Sequence, residues 1–135
     1  MSQDVKAEFS RAALCDSAVF LTVDAGYLCH ALFTIDQLAK GHPERDFDFC
    51  IVTTDDLPPH DLIDRHNVRI CRLSTDSIAQ DVPATARIPM AAYLRFYCAR
   101  VLGADYARIL YLDADLIYRR GNIAQLLRVD LGTHA

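Results

Sequence analysis

The sequence predicts an α/β fold, a mostly parallel, doubly wound sheet of Rossmann type with helices on both faces. Three observations carry that expectation. Short apolar runs rich in β-branched and aromatic residues stand at 18–23, 48–53 and 108–112, as strands buried on both faces require. Between them, apolar residues recur at helical spacing, in strand-plus-helix units of about 30 residues. Polar clusters follow the first and last runs directly, at 22–27 and 113–115, and parallel sheets bind ligands outside the carboxyl ends of their strands.

The first 16 residues are mixed and polar, a lead-in with some helical character. Ala18-Val-Phe-Leu-Thr-Val23 then reads as a buried strand ending at Asp24-Ala-Gly26. Leu28, Ala31, Leu32, Ile35, Leu38 and Ala39 trace a helix up to a Gly41-His-Pro43 stop. Asp48 to Thr53 repeats the strand, and Asp55-Asp56-Leu-Pro58-Pro59 opens a short helix through Ile63, with proline in its first turn. Val68 to Leu73 interleaves Arg69 and Arg72 with apolar residues, as suits a strand nearer the sheet edge.

Ser74 to Pro89 reads as a long loop, and long loops are often functional. Met90, Leu94, Tyr97, Cys98, Val101 and Leu102 form one helical face closed by Gly103. Arg108 to Leu112 is the third buried strand and runs into Asp113-Ala114-Asp115; a short extended piece, 116–118, follows. Gly121-Asn122 then caps a helix carrying Ile123, Leu126 and Leu127.

Composition narrows the function. The chain has 135 residues, 52% hydrophobic and 24% charged, enough for one sizeable core and against disorder or a pure coiled coil. Lys and Arg number 14 against 18 Asp and Glu, a net charge of −4, so the cationic surplus of a general nucleic-acid binder or polybasic membrane surface is missing. No apolar run reaches the roughly 18 residues of a membrane span, and the N-terminus lacks a secretory pattern. A cytoplasmic location is expected. Cys15, Cys29, Cys50, Cys71 and Cys98 are an odd set without C-x-x-C, which argues against a disulfide framework or a zinc site. The five histidines show no metal-ligand spacing.

Asp113 and Asp115 flank one small residue in an extended segment, so both carboxylates can face one side. Their mutual repulsion is relieved by a hard divalent cation, Mn²⁺ or Mg²⁺, which completes its shell with water and phosphate oxygens. The plain alternative is two solvated carboxylates in a loop. In the first loop, a base can stack on Tyr27 while Asp24 accepts from its edge; alternatively Asp24 caps the following helix. G-x-G-x-x-G is absent, which argues against NAD or FAD. Arg95, beside the apolar stripe of its helix, can pair with Asp113, a phosphate or a sugar hydroxyl.

Val19-Phe-Leu-Thr-Val-Asp24-Ala-Gly-Tyr27, Ala92-Tyr93-Leu-Arg95-Phe and Arg108-Ile-Leu-Tyr-Leu-Asp113-Ala-Asp115-Leu-Ile together resemble the retaining glycosyltransferases of family 8. These GT-A enzymes include lipopolysaccharide galactosyl- and glucosyltransferases and glycogenin. The resemblance covers roughly residues 17–132. It implies that Asp113 and Asp115 hold Mn²⁺ (or Mg²⁺) against the diphosphate of a UDP-sugar, and that the Ala114 backbone meets the ribose. Asp24 and Tyr27 would bind uracil with Thr22 in the same pocket, and Arg95 would orient Asp113 and touch the donor. Hexose transfer to lipopolysaccharide or another glycan, with retention, is the implied reaction. Where the family often has a second polar pair in the first loop, this chain has Ala25 and Gly26.

Family members run to about twice this length or more, so residues 17–135 are expected to be a donor-binding half after the 1–16 lead-in. A further histidine metal ligand would lie downstream. Peripheral membrane association is expected of a full-length parent, self-association and weak activity of the isolated half. A non-catalytic nucleotide-sugar-binding module is the alternative. An Asp-based phosphatase fits less well, because its aspartate pair follows the first strand and is trailed by Thr or Val where this chain has Leu116.

Overall fold

The computed structural model describes residues 6–74, 97–114 and 116–129. Its centre is a five-stranded sheet in the order β1-β4-β3-β2-β5, with β1 at Ala7–Phe9, β2 at Ser17–Thr22, β3 at Asp48–Thr53, β4 at Arg69–Leu73 and β5 at Arg108–Tyr111. Strands β2 to β5 are parallel, and only β1 runs antiparallel, against β4. The mostly parallel sheet matches the sequence expectation.

Side-chain alternation along the central strands divides the core into two layers. Val19, Leu21, Phe49 and Ile51 face α1 (Leu28–Gly41), α2 (Asp61–Arg65) and α4 (Ala124–Leu127). Ala18, Phe20, Cys50 and Val52 face the other side, where a helix, α3, whose described part spans 97–102, contributes Tyr97, Cys98 and Leu102. Helices therefore cover both faces. Helix α1 ends where Gly41 admits the Tyr118 ring: a Cβ there would lie 2.6 Å from the ring, so the segment after β5 packs closely against α1 only because this residue has no side chain. The lower half of α1 is pinned to α2 through Asp36, which meets His66 and Lys40 at 2.9 Å each. Those hydrogen bonds, His66 first, hold the Asp36 carboxyl below the usual carboxylate range.

Three expectations are corrected. The N-terminal segment supplies strand β1 at residues 7–9 instead of a helix. Ala7 and Phe9 are half-buried and pack on the core while Glu8 points out, and Arg69, buried beneath the Phe9 ring, donates to the Arg11 carbonyl at 2.7 Å. Strand β4 is therefore second from the edge. The prolines 58 and 59 precede α2, whose first turn is closed by His60 Nδ1 accepting from Leu62 N–H at 3.1 Å. Strand β5 is only partly buried, because among the described residues it pairs with β2 alone. Of the 74–89 loop only Ser74 is described, its N–H donating to the Lys6 carbonyl at 2.9 Å, and the start of the Met90 helix lies outside the described residues.

The cysteine reading holds in outline. All five thiols are free; Cys50, Cys71 and Cys98 are buried, Cys15 is half-buried and Cys29 exposed. Burial pushes the Cys50 and Cys71 thiols up, to about 11 and about 12, so they remain protonated, apolar packing groups.

Candidate functional site

Parallel pairing puts the carboxyl ends of β5, β2 and β3 side by side, and each end carries acidic residues. Phe20 pairs with Tyr111, and Leu112 N–H donates to the Phe20 carbonyl at 3.0 Å. Two residues beyond that pair, Thr22 and Asp113 leave adjacent strands at the same level. On the other flank Thr22 pairs with Val52, and Val23 N–H donates to the Val52 carbonyl at 3.1 Å. The loop after β2 thus lies between those after β5 and β3.

The loop after β2 is a single 3₁₀ turn, Ala25–Tyr27, feeding α1. Asp24 sits in extended backbone, and its Oδ1 accepts from Tyr27 N–H at 3.1 Å. The capping alternative is therefore realised with one oxygen, while Oδ2 has no protein partner among the described residues. Tyr27 remains 53% exposed, its ring 5.3 Å from that of His30, so an aromatic face is open to solvent beside that free oxygen. Thr22 is buried at the strand end and forms floor more than wall. From β3, Asp55 Oδ2 accepts from Ala25 N–H at 2.8 Å.

Among the described residues, the loop after β5 is closed by Leu116 N–H donating to the Asp113 carbonyl at 3.3 Å. Tyr111 Oη donates to Asp113 Oδ1 at 2.8 Å, and Asp113 itself is exposed. Thr34, buried on α1, reaches across with its hydroxyl to the Leu116 carbonyl at 2.9 Å and lies 3.5 Å from the Ala114 carbonyl. Ala114 packs against the α1 layer, which leaves Asp113 at the rim. Arg95 and Asp115 lie outside the described residues, so the structure gives no geometry for either. Among the described residues no three metal-ligating side chains converge; an exposed carboxylate one residue from a second fits a hard cation that takes its other ligands from water and phosphate.

Three supporting residues escaped the sequence reading: Asp55, Thr34 and Tyr111. In the sequence Asp55 reads as part of a helix start, although it too follows a buried strand. Thr34 carried a visible signal, a hydroxyl on the apolar face of α1. A cleft of about 750 Å³ between Gly41, Arg45, Tyr118 and Arg128 lies at the opposite end of the sheet, where α1 finishes and β3 begins.

The profile of glycosyl transferase family 8 matches residues 18–135. The chain belongs to that family. It is 32% identical over 116 residues to a lipopolysaccharide 1,2-glucosyltransferase of Escherichia coli (strain K12), a match covering 81% of this chain and 34% of that protein. Among solved structures it is similar to the galactosyltransferase LgtC in complex with donor and acceptor sugar analogues, and to an active-site mutant of LgtC. Each has a TM-score of 0.63 at 22% identity, over 86% of this chain and 43% of the other. That likeness shows the GT-A fold. The chain spans between about a third and a half of the length of these relatives. No helix among the described residues is long and apolar enough to cross a membrane.

Proposed function

We propose that residues 17–135 form the donor-binding half of a retaining, metal-dependent glycosyltransferase that moves a hexose from a UDP-sugar to lipopolysaccharide or another glycan. The observation that carries this reading is the placement of the Asp24–Tyr27 loop and the Asp113 loop on adjacent parallel strand ends, within a chain of family 8. The names of the relatives, a lipopolysaccharide glucosyltransferase and a galactosyltransferase bound to donor and acceptor analogues, support a hexose donor and a glycan acceptor. A cytoplasmic site of action, at a membrane surface that the parent protein touches peripherally, suits that acceptor class.

In this mechanism Tyr27 stacks on the uracil and Asp24 Oδ2 accepts from its N–H edge, which selects the base. Asp113 and Asp115 would hold Mn²⁺ or Mg²⁺. Bound there, a hard dication neutralises the charge that builds on the departing diphosphate. The backbone at Ala114 faces the ribose, and Arg95 orients Asp113 and contacts donor phosphate or sugar as a permanently charged fork. Retention at the anomeric carbon is inferred from the family.

The test is calorimetric titration of UDP, with Mn²⁺ and again with a chelator. Saturable binding that the metal strengthens is expected, and absence of binding under both conditions would refute the donor-site reading. The short span relative to the family's other members favours one further statement: this chain binds donor and transfers little. Release of UDP from UDP-glucose and UDP-galactose, with and without a glycan acceptor, separates a slow transferase from a purely binding module. Robust transfer by the 135-residue chain would contradict the half-site account.

A further inference from the structure

We propose that Asp55 is the positioning residue of the base-binding loop, fixing the Asp24–Tyr27 turn from the neighbouring strand before nucleotide arrives. The nucleotide part of this inference rests on the reading above; the hold on the loop is a property of the free protein.

The first N–H groups of a helical turn have no partner within it. Ala25 opens the 3₁₀ turn, and Asp55 Oδ2 takes its N–H at 2.8 Å. Asp24 Oδ1 takes the N–H of Tyr27 at 3.1 Å. Two carboxylates from adjacent strand ends thus secure the two ends of a three-residue turn. The turn is tight: a Cβ on Gly26 would stand 3.3 Å from Asp24 Oδ1.

Asp55 is itself anchored. Its N–H donates to Thr53 Oγ1 at 3.0 Å, and Thr53 is wholly buried in β3. A carboxylate tied to the rigid sheet passes that rigidity to the loop through a charge-assisted hydrogen bond, the stronger kind. Asp55 forms no ion pair among the described residues, so the Ala25 N–H is its one described side-chain partner. Asp56 next to it provides a built-in comparison: it pairs with Arg72 at 3.4 Å, and its side chain is 89% exposed. Two neighbouring acids of the same chemistry serve different ends, one a loose surface pair and the other the base loop.

The experiment measures UDP affinity with Mn²⁺ and amide hydrogen exchange at Ala25 in wild type, Asp55→Ala, Asp55→Asn and Asp56→Ala. Asp55→Ala is expected to weaken UDP about tenfold and to speed Ala25 exchange at least about tenfold, the scale of one charge-assisted bond. Asp55→Asn, which keeps an acceptor oxygen, should restore both to within about threefold, and Asp56→Ala should change neither. Unaltered Ala25 exchange in Asp55→Ala overturns the proposal, as does faster exchange with unchanged UDP affinity. Should wild type bind no UDP while Ala25 exchange still responds to Asp55→Ala, the nucleotide reading fails and the hold on the loop stands.

Discussion

The two loops that face each other across the β2 and β5 ends are built to different standards. The Asp24–Tyr27 loop leaves a strand buried along nearly its whole length, with neighbours on both sides, and the N–H groups of Val23, Ala25 and Tyr27 are all satisfied by protein acceptors. The Asp113 loop leaves a partly buried strand with one described neighbour; among the described residues its backbone is held by Leu112 N–H on the Phe20 carbonyl and Leu116 N–H on the Asp113 carbonyl, and its side-chain supports are the Tyr111 and Thr34 hydroxyls. A base is recognised by shape and hydrogen-bond pattern, which reward a preformed surface. A hard cation brings its own ordering, because carboxylates that repel one another settle once it binds. On the proposed donor-site reading, the difference corresponds to a preformed base loop beside a metal-holding loop that is completed on binding.

The sharpest way to break this comparison is the double variant Asp113→Asn, Asp115→Asn. It should abolish the metal-dependent part of UDP binding, a loss of at least about 100-fold, given what two lost charged ligands cost a Mg²⁺-type site. Uridine binding should survive it, and calorimetry reads both. Next in size, Tyr27→Ala should weaken uridine and UDP alike, by about tenfold, the scale of one base stacked on an aromatic ring. Its effect should be the same with Mn²⁺ and with chelator.

Thr34→Val keeps the shape but strips the buried hydroxyl that serves the Leu116 carbonyl. A loss of about 1–3 kcal/mol in urea unfolding is expected, with the Mn²⁺-dependent affinity falling more than the uridine affinity. The smallest effect belongs to Tyr111→Phe. Removing the hydrogen bond to Asp113 should shift Mn²⁺ affinity by about two- to fivefold and leave uridine untouched. A larger effect on uridine than on Mn²⁺ in either variant would erase the distinction between the loops.

How far the sequence reveals this arrangement follows from where each signal resides. The buried strands at β2 and β3 and the helix α1 announce themselves, since continuous β-branched runs and a 3.6-residue apolar period are properties of the local chain. The carboxylates Asp24 and Asp113 are legible because they follow such strands. Strand β1 was missed, because three residues carry no usable period and their pairing with β4 depends on Arg69 and Phe9 meeting across some 60 positions of chain. The partial burial of β5 has a related cause: its apolar run is as strong as that of β3, and only sheet order shows that among the described residues it has a single neighbour. Asp55, Thr34 and Tyr111 act through single hydrogen bonds to loops elsewhere in the chain, and a residue's type does not disclose its distant partner. Asp115 and Arg95 fall outside the described residues, and their roles rest on the family motif.

The most direct measurement is a ¹H–¹⁵N titration of the free protein with uridine and then with UDP, each with Mg²⁺ and with chelator. Uridine should move the Ala25–Leu28 amides equally under both conditions, and UDP should in addition move those of Asp113 to Leu116 only when Mg²⁺ is present. If uridine requires the metal, or if UDP moves the Asp113 loop without it, the division into a preformed base loop and a metal-completed loop is wrong.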